Sequence, residues 1–208
     1  MTVAIIDYGS GNLRSVAKAF ERVAAGSVPI QVTHSPDIVE KASHIVLPGV
    51  GAFADCMRGL RALPGMLEIL QREVVQRGKQ FLGICVGMQM LFEKGHEHGT
   101  HDGLGWLKGE VGLMTPADGT LKIPHMGWND LTVAQPHPLL KQITTGDHAY
   151  FVHSYHALCK EPSDVLATVS YGQSVAAVVG RGNIMGAQFH PEKSQDTGLQ
   201  LLKNFLEL

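Results

Sequence analysis

Residues 79–92 read KQFLGICVGMQMLF, and the fold turns on how this stretch divides. Phe81, Leu82 and Ile84 form a short apolar run of the kind that ends a buried strand, whereas Met88, Leu91 and Phe92 recur at helical spacing. Between the two lies Gly83-Ile84-Cys85-Val86-Gly87. A strand that passes into a helix through G-x-C-x-G is the cysteine form of a nucleophile elbow. The glycines have a mechanical reason: a sharp turn carrying a nucleophile needs neighbours without a Cβ, so that adjacent backbone can approach. The turn also sets Cys85 at a helix N-terminus, where backbone N–H groups and the helix dipole favour a thiolate. Cysteine is also a common core residue, so the remainder of the chain has to decide between a nucleophile and a buried structural thiol.

Towards the N-terminus, Val3-Ala4-Ile5-Ile6-Asp7 is a continuous apolar run, the form taken by a central parallel strand. Gly9-Ser10-Gly11-Asn12 turns the chain, and Leu13 to Val23 has helical spacing. The order strand, G-x-G, helix invites a dinucleotide-binding reading, but Ser15 lies near where the third glycine would fall and no acidic residue ends the second strand. A tight strand–helix turn is the reading kept. Pro29–Thr33 and His44–Leu47 are further strand candidates, the latter running into Pro48-Gly49-Val50-Gly51-Ala52-Phe53. Such a loop suits a plain turn, and beside an elbow it suits a site where backbone N–H groups hold an oxyanion. Residues 52–60 and 64–77 read as helices, the second opened by Pro64 and closed by Gly78.

This βαβαβα pattern predicts an α/β fold: an open, mostly parallel, twisted sheet flanked by helices. After Glu93 the character changes. His96-Glu97-His98-Gly99-Thr100-His101-Asp102 is rich in metal-ligand types but lacks H-x-x-x-H on a periodic helix, which favours an exposed loop over a metal site. Strand candidates follow at 108–114, 128–133, 148–153, 165–170, 175–180 and 183–189, read as antiparallel additions to the sheet. Residues 195–208 close the chain as an amphipathic helix with Leu199, Leu202, Phe205 and Leu206 facing inward.

A chain of 208 residues with no linker or repeat is expected to form one domain over 1–208. With 44% hydrophobic and 17% charged residues and a net charge of −2, it has no electrostatic footprint for nucleic acid or an anionic membrane. No apolar run spans a bilayer, and the chain starts directly in a strand-like segment, so no leader is expected. Cys56, Cys85 and Cys159 are too few and too scattered for a disulfide framework, which points to free thiols in the cytoplasm.

The last strand candidate runs into His190-Pro191-Glu192. In such sheets functional groups collect at the carboxyl ends of strands, and both Cys85 and His190 fall there. A thiol, an imidazole to take and return its proton, and a carboxylate to fix the imidazole make a nucleophile–base–orienter triad. One His among eleven says little; the elbow, the PGVG loop and HPE together say far more.

On these residues the sequence resembles the class I, triad-type glutamine amidotransferases: Gly83-Ile84-Cys85-Val86-Gly87-Met88-Gln89 and His190-Pro191-Glu192 are similar to that family's two signatures. The resemblance narrows to the glutaminase subunits of imidazole glycerol phosphate synthase. It does so on residues 7–16 (DYGSGNLRSV), PGVGAF, Pro124-His125-Met126-Gly127-Trp128-Asn129, Tyr150 to Tyr155 and His190 to Gln195, which together cover essentially the whole chain. Val86 is one departure, leucine being more usual there, and only its N–H is needed. The resemblance implies hydrolysis of glutamine through Cys85, His190 and Glu192. The oxyanion would be held by N–H groups of Val86 and of Gly49, Val50 or Gly51, and the substrate by Gln89, His153, Ser154 and Tyr155. No cofactor is implied. The implied partner is a separate (β/α)₈-barrel cyclase subunit in a heterodimer, with Trp128, Asn129 and Lys193 at the contact. That partner would turn the ammonia and a nucleotide into imidazole glycerol phosphate and AICAR in histidine biosynthesis. Another class I amidotransferase subunit, a stand-alone glutamyl hydrolase, and a non-catalytic binding protein that kept the fold are the alternatives.

Overall fold

The computed structural model describes residues 1–117, 119 and 121–208. The N-terminal half alternates as expected: β1 (Val3–Ile6), α1 (Leu13–Ala24), β2 (Ile30–Thr33), α2 (Pro36–Lys41), β3 (His44–Gly49), α3 (Phe53–Ala62), α4 (Met66–Leu70), β4 (Gln80–Cys85) and α5 (Val86–Gln89). Then come the short strands β5 (Lys94–Gly95) and β6 (His101–Asp102), β7 (Gly109–Leu113), β8 (His125–Val133), β9 (His148–His153), β10 (Tyr155–Cys159), β11 (Val165–Ser170), β12 (Ser174–Arg181), β13 (Ile184–Ala187) and α6 (Gln195–Leu206).

Nine strands form one sheet in the order β2-β1-β3-β4-β13-β12-β11-β8-β9. From β2 to β13 all neighbours are parallel, and the remaining pairings are antiparallel. The central strands are buried on both faces, which is why β1, β3 and β4 read as unbroken apolar runs. Helices α1 and α6 pack on one another through Phe20 and Phe205, whose rings meet edge-on at 6.1 Å. Helix α4 packs against α2 and α3 in a second group. Among the described residues no helix is long and apolar enough to cross a membrane.

Four expectations need correction. The strand expected over 183–189 as an antiparallel addition is antiparallel only to β12; β13 pairs in parallel with β4 and so completes the parallel part of the sheet. The helix expected over 64–77 begins at Met66 instead, because Gly65 takes a left-handed conformation (φ 74°) and leaves Pro64 outside. It then widens into a π-helical segment, Gln71–Gln76, beside the buried carboxylate of Glu73, which accepts from Arg72 Nε (2.8 Å) and Arg77 Nη1 (2.9 Å) and lies 2.8 Å from Lys79 Nζ. The strand over 108–114 does not extend the main sheet. It pairs with β5 and β10 in a separate four-stranded sheet, β10-β7-β5-β6, drawn there by Glu93, whose carboxylate accepts from the Gly109 N–H and from Lys108 Nζ, both at 3.0 Å. Finally, 96–102 is not all solvated loop: it includes β6, and Glu97 turns into the protein to accept from the Phe53 N–H at 2.8 Å.

The decisive feature for function is the β4–β13 neighbourhood. These strands are parallel, with Ile84 beside Ala187, so both end at the same edge; on the other side of β4, Gly49 lies beside Cys85.

Candidate active site

Cys85 ends β4 with φ 55° and ψ −113°, a left-handed conformation that a cysteine adopts only when its surroundings impose it. The imposition comes from backbone packed on backbone. A Cβ on Gly87 would fall on the carbonyl oxygen of Leu47, and one on Gly83 on the carbonyl of Gly87. A Cβ on Gly49 would lie 2.7 Å from the Gly87 nitrogen. The glycines of the elbow and of the PGVG loop are therefore what allow β3, β4 and α5 to meet. Helix α5 is a single turn of four residues, shorter than the apolar spacing through Phe92 implies, and Val86 is its first residue, with no intrahelical acceptor for its N–H.

Three residues beyond the end of β13, His190 is fixed by its main chain, its N–H donating to the Tyr150 carbonyl at 3.0 Å. Ser194 Oγ also donates to the His190 carbonyl at 2.7 Å and accepts from the Tyr150 N–H at 2.9 Å. The tight turn Pro191–Lys193 brings Glu192 back, so that its Oε1 lies 2.9 Å from His190 Nδ1. The same oxygen accepts from Asn12 Nδ2 at 3.4 Å, and both His190 and Glu192 are buried. A carboxylate only accepts, so Nδ1 carries the proton. Burial alone would lower the basicity of His190. Hydrogen bonds to Cys85 and Glu192, and the negative charge those groups carry, outweigh it and raise its pKa to about 9.

Cys85 and His190 open into one cavity of about 490 Å³, lined also by Val50, Gly51, Val86, Gln89, Ser154 and Tyr155. Most residues singled out in the sequence thus line a single cleft. Two are arranged otherwise than a simple contact role suggests. The Val50 N–H donates to Ser10 Oγ at 3.4 Å, and the Val50 carbonyl accepts from Ser10 Oγ at 2.6 Å and from Cys56 Sγ at 3.4 Å. The two peptides that flank Val50 are thus both held, through Ser10, by the loop after β1. His153 is buried with both ring nitrogens engaged, Nδ1 with the Tyr155 carbonyl (2.9 Å) and Nε2 with His125 Nδ1 (3.1 Å). Burial above all lowers both imidazoles to about 4, so this pair is neutral and only weakly basic.

Glu97 lines the cavity too, the only carboxylate to do so among the described residues; Glu192 stands behind His190, outside the lining. The sequence masked it among the histidines and glycines of 96–102. Gln188, wholly buried beneath Cys85, was also passed over; a polar residue inside the apolar run Gly186-Ala187-Gln188-Phe189 was the available signal. Outside the cleft, Pro124 leads from the cavity wall into β8, where Met126 and Trp128 are exposed on one face. Trp128 meets Tyr150 edge-on at 5.9 Å, and Lys193 Nζ stands 5.9 Å from the Tyr150 ring centre. Asn129 belongs to the opposite face, donating to the Ser170 carbonyl (3.0 Å) and lying 3.2 Å from His125 Nε2.

A thiol on an elbow, a buried imidazole–carboxylate pair and a backbone-lined cleft at a parallel-sheet edge together define a class of enzyme. The chain belongs to the class I glutamine amidotransferases, whose family profile matches residues 4–208. A crystal structure of a glutamine amidotransferase superposes with a TM-score of 0.74 at 21% identity, covering 99% of this chain and 97% of that one, a likeness of fold. The imidazole glycerol phosphate synthase subunit HisH of Agrobacterium fabrum is 57% identical over 99% of this chain and 98% of its own length. That of Rhodospirillum rubrum is 54% identical over 99% and 98%. Within the class, the chain is a member of this HisH family.

Proposed function

We propose that the chain, a single amidotransferase domain over residues 1–208, is the glutaminase subunit of a cytoplasmic imidazole glycerol phosphate synthase and serves histidine biosynthesis. The observation that carries the reading is the meeting of Cys85 with the His190–Glu192 pair in one cleft of about 490 Å³. Glutamine enters with its side-chain amide over Cys85. Among the described residues Glu97 is the carboxylate of the cleft wall and suits its ammonium, and the main chain around Ser154 and Tyr155 lines the remaining side. Gln89 and His153 belong to the same wall, both bonded to the Tyr155 carbonyl.

The Cys85 thiolate attacks the amide carbon, and the oxyanion is met by the Val86 N–H. The second donor comes from the Gly49-Val50-Gly51 loop once the Val50 N–H leaves Ser10 and its peptide turns. The His190 imidazolium gives its proton to the departing ammonia, then as neutral imidazole activates water against the thioester; Glu192 keeps Nδ1 protonated and the ring in plane. Because His190 titrates at about 9, glutamate release is expected to fall as pH rises through about 9, where the imidazolium is lost. The sign agrees for stability: a pKa raised above the ordinary histidine value stabilises the fold below that value, and the contribution disappears through about 9. A rate profile flat to pH 10 would contradict this assignment of the acid.

Ammonia released into solvent is protonated and lost to synthesis, so a cyclase subunit, a (β/α)₈ barrel, docks over the cleft mouth and receives it. The exposed face of β8 with Met126 and Trp128, beside Tyr150 and Lys193, is the surface for it, with Asn129 bracing the strand from the other side. The test is glutamate release by this chain alone and with the cyclase subunit plus its nucleotide ligand. Strong activation that depends on both is expected. Equal rates with and without the partner would leave a glutaminase but remove the synthase assignment.

A further inference from the structure

Gln188 is a primary amide with no exposed surface, placed between Ala187 and Phe189, which are equally buried. Burying such a group is unfavourable unless its hydrogen bonds are made, and an apolar residue would fill the space without that requirement. Its bonds lead to the reactive centre: Oε1 lies 3.0 Å from Gln89 Nε2, and Nε2 lies 3.8 Å from Cys85 Sγ.

The polarity of this chain of amides is fixed at its far end. The Tyr155 carbonyl can only accept, so the amide nitrogen of Gln89 faces it, at 3.0 Å. The second hydrogen of that nitrogen then points at Gln188, which must present its oxygen there. What remains for Cys85 is the Gln188 NH₂ group. No other orientation pairs every member.

We propose that Gln188 is a positioning residue that donates a hydrogen bond to the Cys85 sulfur, setting its direction and supporting its anionic form, while its carbonyl holds Gln89 against the cleft wall. The inference rests on the reading of Cys85 as the nucleophile. A neutral amide suits the role because it donates at every working pH and, unlike His190, never competes for the proton. As sulfur becomes part of the thioester its negative charge is gone and the bond weakens, so the donor acts on the free enzyme and on the returning thiolate.

The test is the pH dependence of Cys85 alkylation by iodoacetamide, followed by peptide mass spectrometry to separate it from Cys56 and Cys159, in the full chain and in Gln188→Met. Methionine keeps the length of the side chain and removes the donor. The alkylation midpoint is expected to move up by about one pH unit, the worth of one hydrogen bond to a charged group. A folded Gln188→Met with an unchanged profile would overturn the proposal. Should the variant not fold, the unmutated protein decides: the Gln188 side-chain amide resonances should follow the Cys85 titration and lose that dependence in Cys85→Ala. Amide signals that ignore it would overturn the proposal equally. Neither readout involves glutamine. A glutaminase abolished by Cys85→Ala alongside an unmoved alkylation profile would therefore sink Gln188 alone.

Discussion

Cys85→Ala is expected to lower partner-activated glutamate release by at least about 10⁴-fold, the scale on which removing a covalent nucleophile acts, and to leave the fold intact. Alanine loses one sulfur from a buried site and occupies the same left-handed backbone no less easily than cysteine, so the stability cost is small, on the order of 1 kcal/mol. Neither other thiol stands in. Cys56 faces the Val50 carbonyl and Ser10, and burial raises its pKa. Cys159 ends β10 in the smaller sheet, pushed up to about 11 by burial and by the charge of Asp164. Both are weak nucleophiles near neutrality. The measurement is glutamate formed per enzyme with the cyclase subunit and ligand saturating. Residual activity above about one per cent would remove Cys85 from the centre of the mechanism.

Gly87→Ala should be the most damaging single methyl group in the chain. The added Cβ falls on the Leu47 carbonyl oxygen, and that oxygen belongs to β3, which is held between β1 and β4 in the parallel ladder. No flexible side chain is available to give way. Either β3 and α5 separate, opening the elbow, or the turn at Cys85 unwinds; a loss of more than about 4 kcal/mol is expected, a large fraction of the stability of an ordinary domain. Urea denaturation and the yield of folded protein check it. A variant of near-native stability would mean that the elbow is not held by this backbone contact.

The contrast between these two substitutions explains what the sequence made legible. The elbow could be read because its requirements are local: an apolar strand end, a helix start and two residues without side chains fall within seven positions. The pairing of β4 with β13 could not be read in the same way. Ile84 and Ala187 are about a hundred residues apart, and nothing in either strand names the other; only the rule that functional groups gather at strand ends placed His190 near Cys85. Glu97 was missed because a carboxylate among histidines and glycines has the composition of solvated loop, although here the loop folds back over α3. Strand β10 escaped because Tyr155 to Cys159 carries no clear alternation; it is held by its antiparallel ladder with β7, and only Tyr155 reaches the cleft wall. The π-helical segment after α4 escaped for a related reason. Its cause is a buried Glu73 collecting cations from two helical turns and from the start of β4, and burial is invisible in a run that reads as charged and exposed.

The held Val50 peptide connects these local facts to regulation. Ser10, in the turn after β1, accepts from the Val50 N–H, and Ser10 and Cys56, on α3, both bond the Val50 carbonyl of the next peptide; in the proposed mechanism these contacts, which lie outside the triad, withhold the second oxyanion donor. The exposed Val50 side chain stands at the mouth of the same cleft, where, on the proposed function, a docked partner would bias that loop.

The covalent step is the part of this account on which the rest depends. The chain should be quenched in acid during turnover of glutamine with the cyclase subunit and its ligand present, digested, and each cysteine peptide weighed. A γ-glutamyl thioester on Cys85, and on neither Cys56 nor Cys159, is the predicted result. Glutamate release at full rate with no adduct on Cys85, or with the adduct on another thiol, would contradict it.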